Sequence, residues 1–133
     1  MSMIPGQTLV VAADGRSARF FRNAGDESNL QLVQDKLFDE DAASETGPSG
    51  SQPQDNDRNE SAFAHFLAKK LNDAALNHKF DHLVLAADPT TLGELRKMLH
   101  KEVVSRTIAE VSKDWTNTPT DQITEALDDL KIA

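Results

Sequence analysis

The 133-residue sequence has no cysteine, no long apolar run and no basic excess. Without cysteine there is no disulfide framework, no thiolate nucleophile and no zinc site of the cysteine type. No apolar stretch approaches the roughly 18 residues of a membrane span, so no membrane partner is expected. The opening Met1-Ser2-Met3-Ile4-Pro5-Gly6 lacks the basic-then-apolar layout of an export signal, and the sequence predicts a cytoplasmic protein. Twenty-two acidic residues against 14 basic ones give a formal charge of -8, a field that repels phosphate backbones. DNA is therefore not an expected partner, and any RNA contact needs a local basic patch. Neither G-x-x-x-x-G-K-[ST] nor G-x-G-x-x-G occurs, so nucleotide-binding signatures are absent and no cofactor is expected.

What is present reads as one α/β domain over residues 1–133. Thr8 to Ala13 is short and apolar on both faces, as a strand buried on both sides would be, and Asp14-Gly15 supplies the turn that ends it. Ser17 to Arg22 is its hairpin partner. A second turn signal at Asn23-Ala24-Gly25-Asp26 leads to a half-exposed third strand between Leu30 and Phe38. Residues 39–61 hold no large apolar side chain, a composition that predicts a mobile polar loop. From Glu60 the period becomes helical, with Phe63, Phe66, Leu67, Leu71 and Ala74 on one stripe, and His78 and Lys79 suit the negative end of the helix dipole.

His82 to Ala87 repeats the composition of the first strand. Thr91 and Glu94 form a capping-box pattern ahead of Leu92, Leu95, Met98 and Leu99, with Gly93 as a weak point in that second helix. Ile108, Glu110 and Val111 suit a short edge strand. Thr118-Pro119 sets up a last helix with proline at its first position and Ile123, Leu127 and Leu130 along one face. The order β-β-β-α-β-α-β-α resembles the ribonuclease-H-like arrangement: a mixed sheet in three layers, with the first and fourth strands central.

Three constellations invite chemistry. Asp14 and Asp88 end the two most apolar strands, and with Glu60 they suggest the carboxylates of a magnesium nuclease; hairpin-turn and helix-capping roles explain the same two aspartates. His78 and His82 stand four apart, but Phe80-Asp81 interrupts any helix that would align them, and exposed positions are expected for His65 and His100 as well, so no metal site is predicted. Gly47-Pro48-Ser49-Gly50-Ser51 lacks the final glycine and the strand-to-helix context of a nucleophile elbow. Basic residues offer two local patches for binding: Arg16, Arg19 and Arg22 on or beside the second strand, and Lys97, His100, Lys101 and Arg106 on or after the second helix. A solvated face that balances nearby acids is the competing explanation.

Several stretches carry a resemblance. They are Leu9-Val10-Val11-Ala12-Ala13-Asp14-Gly15 with Ala18-Arg19-Phe20-Phe21, the helix around Phe63-Ala64, Phe80-Asp81-His82-Leu83-Val84-Leu85-Ala86, Leu92-Gly93-Glu94-Leu95-Arg96, and Lys113-Asp114-Trp115-Thr116 followed by Pro119. In this order they resemble the bacterial family named for attachment to host cells, itself similar to the middle domain of archaeal and eukaryotic class-one release factors. In those relatives the loop between the third strand and the first helix carries a Gly-Gly-Gln motif that helps water cleave peptidyl-tRNA. Gly50-Ser51-Gln52 occupies the corresponding connection here, which makes Gly50 and Gln52 the catalytic candidates that the resemblance implies. A flexible glycine allows close approach, and glutamine amides can position water and stabilise an oxyanion. The departures are a serine for the second glycine, Pro53 directly after the triplet, and a loop with Arg58 against Glu45, Asp55 and Asp57. Two functions follow as alternatives: a non-catalytic module that binds a protein, ribosomal or tRNA partner, and a peptidyl-tRNA hydrolase using a degenerate loop.

Overall fold

Leu9–Ala13 (β1) is buried along its whole length because both of its faces are covered. Its register places Leu9, Val11 and Ala13 in one apolar cluster and Val10 and Ala12 in a second on the opposite face. The computed structural model describes residues 4–35 and 56–129, with residues 56–61 described as helical backbone only. Ala18–Asn23 (β2) runs antiparallel to β1, and Leu32–Gln34 (β3) antiparallel to β2. Leu83–Ala87 (β4) lies parallel to β1 on its other side, and Thr107–Val111 (β5) parallel to β4 at the edge. The order is β3-β2-β1-β4-β5. The expected mixed sheet with both apolar strands inside it is therefore present.

Parallel neighbours need crossovers, and the two here build one outer layer, while the helix after β5 builds the other. One face carries Asn56–Leu76 (α1), Pro89–Met98 (α2) and Lys101–Arg106 (α3), which bury Leu67, Leu71, Leu92, Leu95 and Val103 against the sheet. The other carries Thr120–Asp128 (α4), which seals Val10, Phe21 and Val84 with Ile123 and Leu127, helped by Ile4, Leu30 and Trp115. Each fully buried leucine contributes roughly 2 kcal/mol of transfer free energy. Among the described residues no helix is long and apolar enough to cross a membrane.

Several boundaries differ from the sequence expectation, each for a local reason. The helix expected from Glu60 begins at Asn56, inside the stretch expected as loop; acidic residues such as Asp57 suit a helix N-terminus even where no apolar stripe marks it. Its most buried stripe is Ala64, Leu67, Ala68, Leu71 and Ala75, because alanines let the helix approach the sheet, while Phe63 and Phe66 flank it with ring centroids 6.2 Å apart. The helix ends at Leu76, so His78 and Lys79 lie beyond its last turn and make a Schellman closure instead. Lys79 N–H donates to Ala74 O at 2.8 Å and His78 N–H to Ala75 O at 3.1 Å, with His78 at φ 57°.

The second helix starts three residues before the Thr91–Glu94 pattern would place it: Asp88 is the N-cap, accepting from Thr91 N–H at 3.1 Å, and Pro89 takes the first position. In α4 the proline stands one place earlier than expected, at the N-cap itself. Helix α3 had no counterpart in the sequence reading. Val103 is its one buried residue, so six residues show no apolar period, and its cap is a histidine: His100 Nδ1 accepts from Glu102 N–H at 3.1 Å.

The connection between β2 and β3 is held by a buried side chain. Asn23 is the last residue of β2; its amide donates to Ile4 O at 3.0 Å and Pro5 O at 3.1 Å, and its oxygen accepts from Gly25 N–H at 2.9 Å and Gln31 N–H at 3.1 Å. One side chain thus satisfies backbone groups of three segments.

Candidate functional site

The C-terminal ends of β1, β3 and β4 point the same way, and α1, about 30 Å long, starts at that end and runs back toward the other. In open α/β sheets this is the end where ligands gather. The connection from β3 to α1 includes Gly50 and Gln52, and those two residues lie outside the described residues.

At this end Ala13 pairs with Ala87, which makes Asp14 and Asp88 neighbours across β1 and β4. Asp14 is occupied by its own turn. Its Oδ1 accepts from Arg16 N–H at 2.7 Å and Ser17 N–H at 2.8 Å, and its Oδ2 accepts from Thr116 Oγ1 at 3.1 Å. Partial burial raises the pKa of this carboxyl, but the hydrogen bonds outweigh it and hold the carboxyl below its ordinary value. Asp88 Oδ2 caps α2, while its Oδ1 is buried and has no hydrogen-bond partner among the described residues. The Glu60 side chain lies outside the described residues, and no cluster of three metal-ligating groups occurs among those described. The two aspartates are therefore brought together with turn and cap roles.

Lys113-Asp114-Trp115-Thr116 closes the same end from the far side of the chain. Asp114 Oδ1 accepts from Thr116 N–H at 2.9 Å, and the Thr116 hydroxyl proton is shared between Asp114 Oδ1 at 2.5 Å and Asp14. Trp115 is buried in the α4-side core. Arg19 clamps this segment: its Nη1 donates to the carbonyl oxygens of Trp115 at 3.0 Å, Thr116 at 3.3 Å and Thr118 at 2.6 Å, with the guanidinium 4.9 Å from the centroid of Phe21. The pieces Asp14-Gly15, Ala18-Arg19-Phe20-Phe21 and Asp114-Trp115-Thr116 thus form one bonded unit.

The remaining basic candidates divide by face and by partner. A spacing of three along a strand sends Arg19 and Arg22 to opposite faces, so Arg16, Arg19 and Arg22 do not form one patch. Arg22 is turned inward, with Nε 2.7 Å from Asp35 Oδ2 and its side chain 19% exposed. Arg106 bonds the Glu102 carbonyl at 3.0 Å and its carboxylate at 2.7 Å, an interaction that holds the Glu102 carboxyl below its ordinary value. Arg16 is exposed on the β1–β2 turn. Lys97 and Lys101 stand exposed on consecutive helices, Lys97 with Glu94 at 3.7 Å. Sequence reasoning missed the inward turn of Arg19 and Arg22 because their partners lie far off in the chain, and it passed over the i,i+4 pair of Arg106 with Glu102 because α3 itself was not foreseen.

A comparison with protein families matches residues 7–127 to bacterial archaeo-eukaryotic release factor family 12. The chain belongs to that family. The match supports the release-factor side of the resemblance, and attachment to host cells is no part of the family's description. No curated protein matches the chain. Membership of release factor family 12 agrees with the five-stranded α/β fold, and its matched span includes every piece that clusters around Arg19 and Asp14.

Proposed function

We propose that this release factor family 12 member is a translation-associated binding module that docks on a ribosomal or protein partner without itself hydrolysing peptidyl-tRNA. The observation that carries the reading is the inward engagement of Arg19, Arg22 and Arg106. A domain that threads ribosomal RNA needs free cations on the approaching surface. Three of the six strongest basic candidates are instead bonded to carbonyls and carboxylates of their own fold, in a chain of net charge -8. The family supports translation as the setting.

The catalytic alternative rests on the sequence alone: Gly50-Ser51-Gln52 falls between β3 and α1, as the Gly-Gly-Gln motif does in the release-factor relatives.

Sedimentation of the purified protein through sucrose with bacterial ribosomes tests the first reading. Binding is expected, and it is expected to disappear when residues 41–55 are replaced by a short Gly-Ser linker, a change that leaves every described strand and helix intact. Failure to co-sediment, together with no protein captured, removes the proposal. A release assay on stalled nascent chains decides the second: turnover that Gln52→Ala abolishes would make the protein a hydrolase and overturn the non-catalytic reading.

A further inference from the structure

At the opposite end of the sheet, where the N-terminal ends of β1 and β4 meet the last turn of α1, the surface opens into a cavity of about 750 Å³. That volume lies in the range of small-ligand pockets. Its walls come from four separated parts of the chain: Gly6-Gln7, the end of β2 with Ala24, the edge strand β3, and the turn His78 to His82. Arg22 ties three of them together. Besides its Nε bond to Asp35, it donates through Nη1 to Gln7 O at 3.1 Å and through Nη2 to Lys79 O at 2.8 Å. The cavity is therefore held in shape by a guanidinium in its wall.

A second observation falls on the same place. Among the described residues, the non-glycine residues in the left-handed backbone region are Gln7 at φ 67° and His78 at φ 57°. Both line this cavity. His78 takes this conformation in closing α1 and Gln7 inside the Pro5–Thr8 turn, so two fixed turns set the shape of the cavity wall.

The chemistry of the lining sets the ligand class. Arg22 and Asp35 neutralise each other. The imidazoles of His78 and His82 and the Lys79 ammonium enter no hydrogen bond or ion pair among the described residues, so three nitrogen donors remain available in one turn. Asp81, in the same turn, opposes a second anionic group and restricts a ligand to one compact anion. Val33, 48% exposed on β3, and the buried ring of Phe80 provide apolar wall beside them.

We infer that this cavity binds small phosphate monoesters, with the phosphoryl oxygens accepting from His78, Lys79 and His82 and the organic part lying against Val33. A phosphoryl group suits the site because its three oxygens can each accept from a different donor, and charge-assisted bonds are the strong ones. The cavity shares Arg22 with the argument for the proposed function, but its test reads phosphate binding at residues 78–82 and not ribosome binding, so either can fail alone.

The test is a ¹H–¹⁵N NMR titration of the full-length protein with inorganic phosphate, adenosine monophosphate and adenosine. Phosphate and adenosine monophosphate are expected to shift the signals of residues 78–82 saturably, and adenosine to leave them unmoved. Lys79→Ala and His82→Ala are each expected to weaken binding by about tenfold. His78→Gly removes an imidazole while relaxing a left-handed residue, so it is expected to raise the melting temperature and weaken binding together, which a loss of fold cannot imitate. Equal shifts from adenosine and adenosine monophosphate would overturn phosphate recognition. Unchanged phosphate affinity in both His78→Gly and His82→Ala would remove the site.

Discussion

Thr116 and Asp14 stand 102 residues apart in the chain and are joined by a hydrogen bond from the threonine hydroxyl to the carboxylate at 3.1 Å. The bond links the first hairpin to the segment that enters α4. It also makes the charge of Asp14 a determinant of stability. The folded-state pKa is lowered below the ordinary 3.8, so the stabilising contribution is present above that value and is lost as pH falls from it through the folded pKa. Thermal melts of the wild type and Asp14→Asn across pH 2 to 7 read this directly. The gap between the two melting temperatures is expected to narrow below about pH 3.8. Parallel curves would show that the carboxylate charge does nothing for the fold.

The Arg19 clamp gives a second prediction. Arg19→Met keeps an apolar stem over Phe21 but removes the donor to three carbonyl oxygens, and an expected loss of about 3 kcal/mol follows from roughly 1 kcal/mol per bond. Arg19→Lys, with a compact ammonium in place of the planar fork, should fall between the two. Urea unfolding at constant m-value measures both. A loss below about 1 kcal/mol in Arg19→Met would mean that water replaces the guanidinium.

Much of this clamp was beyond the reach of sequence reasoning, and the reasons are physical. β1 and β4 were legible because a strand covered on both faces must be a short apolar run, and Leu9–Ala13 and Leu83–Ala87 are such runs. The half-buried edge strand near Ile108 was legible from the spacing of Ile108 and Val111 around Glu110. Helix α3 was not, since a single buried valine cannot set a period. Long-range polar bonds leave no local trace at all: nothing around Arg19 announces a partner 99 residues later at Thr118. The cavity at the other end draws its walls from four separated segments and was invisible for the same reason. The carboxylate pair was the opposite case, with its position at the strand ends read correctly and its turn and cap bonds foreseeable from Asp-Gly and Asp-Pro.

Two glycines should respond to alanine in opposite directions. A β-carbon on Gly25 would stand 1.9 Å from the Asn29 carbonyl oxygen, which accepts from Asp26 N–H at 3.1 Å, while Asn23 Oδ1 holds Gly25 itself through its N–H at 2.9 Å. Gly25→Ala is expected to destabilise by roughly 3 kcal/mol or more. A β-carbon on Gly93 meets nothing within 4 Å, and the residue lies inside α2, so Gly93→Ala should stabilise by about 1 kcal/mol through backbone entropy. Chemical denaturation of the pair checks both signs, and a stabilised Gly25→Ala would show that the β2–β3 turn is free to move.

Asp88 offers the sharpest separation of a structural from a functional carboxylate. As an N-cap it needs one acceptor oxygen, which serine supplies as well; the second oxygen, Oδ1, is buried and meets no hydrogen-bond partner among the described residues. If capping is its whole role, Asp88→Ala should lose about 1 kcal/mol while Asp88→Ser stays close to the wild type or exceeds it. Stability alone would then order the variants, and ribosome binding should follow the same order. The contrary pattern is equally readable. An Asp88→Ser protein that melts with the wild type but loses ribosome binding, or loses a magnesium-dependent cleavage that the wild type performs, would mean that the carboxylate beside Asp14 has work beyond the helix cap. It would return the neighbouring strand ends of β1 and β4 to the centre of this protein's chemistry.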